Sequence, residues 1–294
     1  IQLALNRANE ANADMTDKWL ISGGAGSLGR HLIKELIKPE FNDKVAVIRV
    51  LDNNENGLAK LNLYVKDPRI RLFLGDIRDK ERIIKASEDI DVFIMAAALK
   101  HVDLCEANPF ENLQTNVIGT QYCIDAALIN NIAKVVYVSS DKACNPVSCY
   151  GKAKSLSESL ILDAENYKGD RRTIFTVVRP PNYLFSDGSV WDTWSYQKEN
   201  NLPLTVTSSS ATRYFMNLDE IVAFLLKTVE MMKGGEIFVP KNPELHKIID
   251  LAKQISDNII ITGLRKGERL HEKLIDETEF EKAKEIDGMW VIEQ

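Results

Sequence analysis

The chain has 294 residues, 45% of them hydrophobic and 27% charged, enough to bury a large core in one domain with a smaller lobe. Its formal net charge of −6 argues against nucleic acid as a partner, because phosphate backbones call for a basic footprint, but leaves room for a local anion site. No apolar run is long enough to span a bilayer, and Cys105, Cys123, Cys144 and Cys149 follow no metal or disulfide spacing, so reduced thiols in a cytoplasmic protein are expected.

In chain order, residues 1–17 lack the apolar core and cleavage site of a signal peptide and read as an N-terminal extension, an extra helix or loose arm. "KWLIS" then predicts a short strand, followed by a glycine-rich turn and the helical "SLGRHLIKELIK". "KVAVIRVLD" and "IRLFLGD" read as strands, with the helices "NGLAKLNLYV" and "KERIIKASE" behind them. "DVFIMAAA" is a further strand, residues 109–130 a long helix, and "AKVVYVSS" a strand again. A helix from Gly151 to Tyr167 leads into "TIFTVVRP". This alternation implies an α/β fold, a Rossmann-type doubly wound parallel sheet, over residues 18–180. After Pro180 the rhythm breaks, and the turn formers of "PPNYLFSDGS" make regular structure improbable. "LDEIVAFLLKTVEMM" predicts an amphipathic helix, "GGEIFVP" a turn and strand, and "HKIIDLAKQI" another helix; the charged tail has no clear pattern. Residues 181–294 are expected to form mainly a smaller C-terminal substrate-binding lobe, with some elements returning to the main sheet.

"ISGGAGSLGRHLI" places Gly23, Gly24, Gly26 and Gly29 between a strand and a helix. The spacing suits a tight turn that brings backbone close to a pyrophosphate, with Ser27 and Leu28 opening a helix whose N-terminus favours anions. Asp52 ends the next strand, where a carboxylate can take both ribose hydroxyls and repel a 2'-phosphate. NAD is therefore favoured, with NADP possible. The competing reading makes "DNNENG" a polar turn with a capping Asp. Asp76 and Ile77 end the third strand and could edge the adenine, or Asp76 could simply cap a helix. Ala96, Ala97, Ala98 and Lys100 follow the fourth strand near the cofactor, and His101 reads as a structural or interface residue.

Tyr150 and Lys154 lie one helical turn apart and share a face. A nearby ammonium is expected to lower the phenol's pKa so that it can act as a base, with Ser140 hydrogen-bonding the same substrate hydroxyl. The glycine loop, "VSSDKA" and "YGKAK" resemble the extended short-chain dehydrogenase/reductases that act on nucleotide sugars. "AAALKHV", "NVIGTQ", "SSDKACNP", "PLTVTSSSATRYFMNLDE", "EIFVPK" and "GLRKGERLHE" together resemble the inverting UDP-N-acetylglucosamine 4,6-dehydratases (5-epimerising) of polysaccharide biosynthesis, over about residues 18–275.

That resemblance implies hydride removal from sugar carbon 4, with Tyr150 and Lys154 serving it. Lys142 is then the base at carbon 5 and Asp141 the acid for the carbon 6 hydroxyl. It asks for a partly neutral Lys142 and a protonated Asp141; the bland alternative is that both merely cap and solvate a loop. The substrate-binding residues implied are Lys100, Asn182, Arg213, Arg265 and Glu268, the arginines clamping a pyrophosphate and Glu268 meeting the uridine ribose. Arg213 could instead be a surface ion-pair residue and Glu268 a helix cap. Two departures are present: Pro180-Pro181 where relatives carry Tyr-Gly, and Lys266 where Pro is usual. No metal site is expected; the partners expected are a UDP-sugar and further copies of the chain. A UDP-sugar 4-epimerase, which usually lacks the Asp-Lys pair, and a non-catalytic NAD-binding scaffold are the alternatives.

Overall fold

The computed structural model describes residues 16–293. The arm expected at residues 1–17 lies outside them except at its end, and Asp17 already opens the first strand. A nine-stranded sheet runs in the order β13-β14-β10-β6-β5-β4-β1-β2-β3. Its strands are β1 Asp17–Ser22, β2 Val45–Asp52, β3 Ile70–Leu74, β4 Val92–Met95, β5 Lys134–Val138, β6 Ile174–Val178, β10 Glu236–Pro240, β13 Ala283–Ile286 and β14 Met289–Glu293. From β3 across to β10 every pairing is parallel. Strands covered on both faces need continuous apolar runs, and "VFIM" of β4 is buried at all its positions.

The connecting helices are α1 Ser27–Leu36, α2 Glu55–Tyr64, α3 Lys80–Ala86, α4 Val102–Ala107, α5, and α6 Cys149–Tyr167. The long helix expected at 109–130 is α5, but it is not uniform. Pro109–Asn112 and Gly119–Ile129 are α-helical, while Leu113–Ile118 between them is a π-helical stretch. One face of the sheet packs on α1, α2 and α8 (Leu218–Met231) through Leu32, Leu36, Leu58, Ile221 and Leu225. The other packs on α3, α5 and α6 through Ile83, Ile124, Ala127 and Ile161. With α7 defined as Val190–Glu199 and α9 as Ile248–Lys253, a small separate core of Trp194, Leu204, Val206, Phe215 and Leu251 holds the C-terminal lobe.

The lobe carries two small sheets, one of β11 Glu244–Lys247, β9 Thr212–Met216 and β7 Asn182–Tyr183, the other of β12 Ile259–Ile261 and β8 Leu204–Val206. "PPNYLFSDGS", expected to be irregular, contributes the two-residue β7, which pairs with β9. The tail that had no clear pattern forms α10 Glu277–Lys282 and the β13–β14 hairpin, which extends the main sheet antiparallel to β10. Among the described residues no helix is long and apolar enough to cross a membrane.

Candidate active site

The sheet reverses its strand order between β1 and β4, the place where an open α/β sheet leaves a crevice beyond its carboxyl ends. A cleft of about 1940 Å³ opens there and continues between the sheet and the lobe. A pocket for one drug-sized ligand is typically ~300–1,000 Å³, so this cleft has room for two nucleotides.

The glycine loop lines one end. Gly23 has φ +70, and a Cβ there would sit 2.8 Å from the Ala97 backbone, so only glycine lets the loops after β1 and β4 approach this closely. Gly26 caps α1 without a side-chain hydrogen bond, and the first turn holds no acidic residue. The helix therefore presents unpaired N–H groups and partial positive charge to the cleft, as a phosphate requires. Asp52 lines the cleft while its carboxylate accepts the N–H groups of Ala25 and Asn54, each at 2.9 Å. It thus joins the glycine loop to the next strand, and the helix-capping role behind it belongs to Asn54. Asp76 caps no helix either: Asp79 caps α3, and Asp76 instead pairs with Arg78 at 2.7 Å. Ile77, Ala96, Ala97, Ala98 and Lys100 also line the cleft. These residues fit a nicotinamide dinucleotide.

The chemistry-bearing residues converge farther along. Ser140 opens a single 3-10 turn, Asp141–Ala143, beyond β5. Asp141 is 1% exposed, and its carboxylate accepts from Ser140 Oγ at 2.8 Å, Lys142 Nζ at 3.0 Å and Asn182 Nδ2 at 2.9 Å. Lys142 Nζ also donates to Asn182 Oδ1 at 3.1 Å. Asn182, expected on the substrate, is thus the residue that orients the Asp-Lys pair.

Tyr150 and Lys154 are buried on α6, beside this turn. Gly151 makes the approach possible, since a Cβ on it would lie 2.3 Å from the Lys142 carbonyl oxygen. The expected lowering of the Tyr150 pKa by Lys154 is not present. Burial pushes the phenol well above its ordinary range, with the Ser140 hydroxyl opposing in part. Lys154 Nζ turns instead to the Val138 carbonyl at 2.6 Å, 4.1 Å above the Tyr137 ring, and burial pulls its own pKa down to about 7.

On the lobe side, Arg213 lines the cleft but its terminal nitrogens are already engaged. They donate to the carbonyls of Thr212, Leu270 and Arg269 and to Glu268 Oε1 at 3.3 Å. It therefore clamps the segment carrying Glu268, and Glu268 also accepts from Thr207 at 2.9 Å. Arg265 Nε lies 3.6 Å from Glu268 Oε2, and with the side chain 66% exposed at the cleft its terminal nitrogens stay open to an anion.

A family profile described as "Polysaccharide biosynthesis protein" matches residues 19–294. The chain belongs to this family. It is 42% identical over 286 residues to an uncharacterised membrane protein of Methanocaldococcus jannaschii, covering 93% of this chain and 84% of that protein. It is 39% identical over 276 residues to the inverting UDP-N-acetylglucosamine 4,6-dehydratase of Campylobacter jejuni, with 93% and 81% covered. A UDP-glucose 4-epimerase of Rickettsia bellii is 33% identical over 278 residues, with 93% and 82% covered. Among solved structures, Pen from Bacillus thuringiensis superposes with a TM-score of 0.89 at 34% identity, covering 95% of this chain and 90% of that one.

This member of the polysaccharide biosynthesis family also uses residues that its motifs did not single out. Asp187 folds over the glycine loop, donating its N–H to Ser27 Oγ at 2.9 Å and pairing with Arg30 at 2.6 Å. Lys100 Nζ donates to the Asp187 carbonyl, and His101 packs against Gly188, consistent with a structural role. Of the two departures, Pro180 accepts the Asp141 N–H at 3.2 Å, and Lys266 reaches Glu106 at 3.4 Å. Each sits at the cleft wall without disrupting the Asp-Lys pair.

Proposed function

We propose that the chain is a UDP-N-acetylglucosamine 4,6-dehydratase that forms a UDP-4-keto-6-deoxy-hexosamine with inversion at carbon 5. The observation that carries this is the hydrogen-bonded Asp141–Lys142–Asn182 block set beside Tyr150 in one cleft with a dinucleotide site.

A bound nicotinamide supplies the hydride acceptor for carbon 4 and the donor for carbon 6. Gly23, Gly26, Ser27, Leu28 and Gly29 hold its pyrophosphate, Asp52 its ribose and Asp76 with Ile77 its adenine edge. The anionic Asp52 favours NAD over NADP. Tyr150 takes the proton of the carbon 4 hydroxyl, which Ser140 orients; burial disfavours the phenolate this needs, and the positive charge of a bound oxidised nicotinamide would offset that. Ketone formation acidifies carbon 5, and Lys142 in its neutral form takes that proton. Asp141 gives its proton to the carbon 6 oxygen, which leaves as water. Lys154 fixes the nicotinamide-side geometry, and Arg265 and Glu268 hold the nucleotide. Each positioned proton transfer contributes about 10²–10⁴ in rate. Lys142 and Asp141 are what a 4-epimerase does not need.

The reading also places the protein in the cytoplasm, where its free cysteines stay reduced. It assembles with further copies through α4 to α6, where Leu104, Phe110, Leu113 and Leu156 stand exposed. Mass spectrometry of the product from UDP-N-acetylglucosamine tests the activity. Loss of one water with no net reduced nicotinamide is expected. Unchanged mass with UDP-N-acetylgalactosamine formed would establish the epimerase, and no conversion of any UDP-sugar the scaffold.

A further inference from the structure

The cleft holds a buried acid to which the steps above give no task. Glu272 is 7% exposed and lines the same cleft as Asp141, Lys142 and Asn182. Among the described residues its carboxyl makes neither a hydrogen bond nor an ion pair. The other acids of that wall are committed. Asp141 accepts from Ser140, Lys142 and Asn182; Glu268 accepts from Thr207 and Arg213; Glu106 accepts the Cys149 N–H and pairs with Lys266. A carboxylate left buried and unpaired is costly, whereas the protonated acid is far less so. Burial accordingly raises the pKa of Glu272, and the charges that face it are Lys142, Asp141, Arg213 and Arg269.

Its support is firm. Arg213 holds the carbonyls of Arg269 and Leu270 at 2.8 and 3.0 Å, and the Thr212 hydroxyl meets His271 Nδ1 at 2.8 Å. Strand β9 of the lobe thus holds the segment that carries Glu272 along the cleft, while Lys142 and Asp141 lie beyond the carboxyl end of β5 in the main sheet. Lys142 with Asp141, and Glu272, therefore line one cleft from different lobes.

Inversion at carbon 5 calls for that division. The group that removes the hydrogen cannot return it to the opposite face, and Asp141 is bonded to Lys142 and spends its proton on the departing water. We infer that Glu272 is the acid that delivers the replacement proton to carbon 5, an inference that rests on the dehydratase reading above. In balance, the carbon 5 proton passes to Lys142 Nζ, and the carbon 6 oxygen leaves as water with the Asp141 proton. The hydride taken from carbon 4 ends on carbon 6, and a new C–H bond forms at carbon 5 with the Glu272 proton. Tyr150 and Lys142 finish one proton richer, Asp141 and Glu272 one poorer, and exchange among them restores all four.

The test compares wild-type, Glu272→Gln and Glu272→Asp enzymes, each with its bound cofactor, on UDP-N-acetylglucosamine. The amide keeps the shape but has no acidic proton. In a single turnover, Glu272→Gln is expected to release water from carbon 6 within about threefold of wild type. Its 4-keto-6-deoxy product should form at least ~10²-fold more slowly, with an unsaturated ketone accumulating and Glu272→Asp recovering part of the rate. Wild-type product made in deuterium oxide should carry deuterium at carbon 5. The inference is overturned by normal product formation in Glu272→Gln, by equal loss of both steps in a variant that melts like wild type, or by return of the substrate's own hydrogen to carbon 5. The deuterium result needs no variant to fold. A wild-type enzyme inert toward the sugar nucleotide removes the dehydratase reading itself, whereas an active one with an unaffected Gln variant removes only Glu272.

Discussion

Lys142 and Lys154 are the same residue type, near one another in sequence, and are used in opposite ways. Lys142 is half-buried and shares hydrogen bonds with Asp141 and Asn182, so its proton has somewhere to go. Replacing it with alanine should leave oxidation at carbon 4 intact, seen as reduced nicotinamide in a single turnover. Release of water should then fall by about 10²–10⁴; unchanged dehydration would strip Lys142 of its role as base. Lys154 is buried, with its pKa lowered from 10.5 to about 7. The unfolded chain then binds a proton more tightly than the folded one, so an ammonium at this site destabilises the fold fully below about pH 7. The penalty fades as pH rises toward the ordinary lysine value. Lys154→Met is therefore expected to melt at a higher temperature than wild type in mild acid, to lose that advantage in alkali, and to be inactive. An advantage that grew with pH would contradict this assignment.

At the scale of elements, the junction of α6 with the Asp141–Ala143 turn decides whether the site assembles. Ser148 caps α6 by accepting the Gly151 N–H at 2.9 Å, and the missing Cβ of Gly151 lets the Lys142 carbonyl touch the helix. Gly151→Ala forces that turn away. We expect about 1–3 kcal/mol of lost stability, with a larger proportional loss of turnover than of secondary structure by circular dichroism. Local chemistry of this kind was legible beforehand: the strand–turn–helix around the glycines, the Tyr-Lys spacing and the Asp-Lys pair all lie within short stretches. The π-helical turns of Leu113–Ile118 were not legible, because an apolar stripe looks alike at nearly equal helical periods. Nor was the Tyr150–Lys154 electrostatics, since burial and the turn of Lys154 toward Val138 depend on packing rather than spacing.

Across the whole molecule, partners far apart in sequence fasten the lobe and tail to the sheet. Arg179, just beyond β6, pairs with Glu158 of α6 at 2.7 Å and with Glu279 of α10 at 2.8 Å. Arg179→Met leaves two acids facing each other without their cation, and removing one member of a buried pair typically costs about 3–5 kcal/mol. Chemical denaturation should show that loss; a change under about 1 kcal/mol would mean the acids find other partners. Such long-range ties explain what motif reading missed. Asp187 meets Ser27 and Arg30 across most of the Rossmann unit, and Glu272 acquires its setting only once β9 and the segment after Arg265 are packed. The tail hairpin was obscure because β13 is short, charged and largely exposed, with none of the apolar continuity that marked β4 and β5.

The central claim is that Tyr150, Asp141 and Lys142 act on a single hexose ring. UDP-N-acetylglucosamine carrying deuterium at carbon 4 tests it most directly, with the label located in the product by nuclear magnetic resonance. Deuterium on carbon 6 of a product that has lost one water is the predicted result. Deuterium still on carbon 4, in a sugar of unchanged mass, would contradict it.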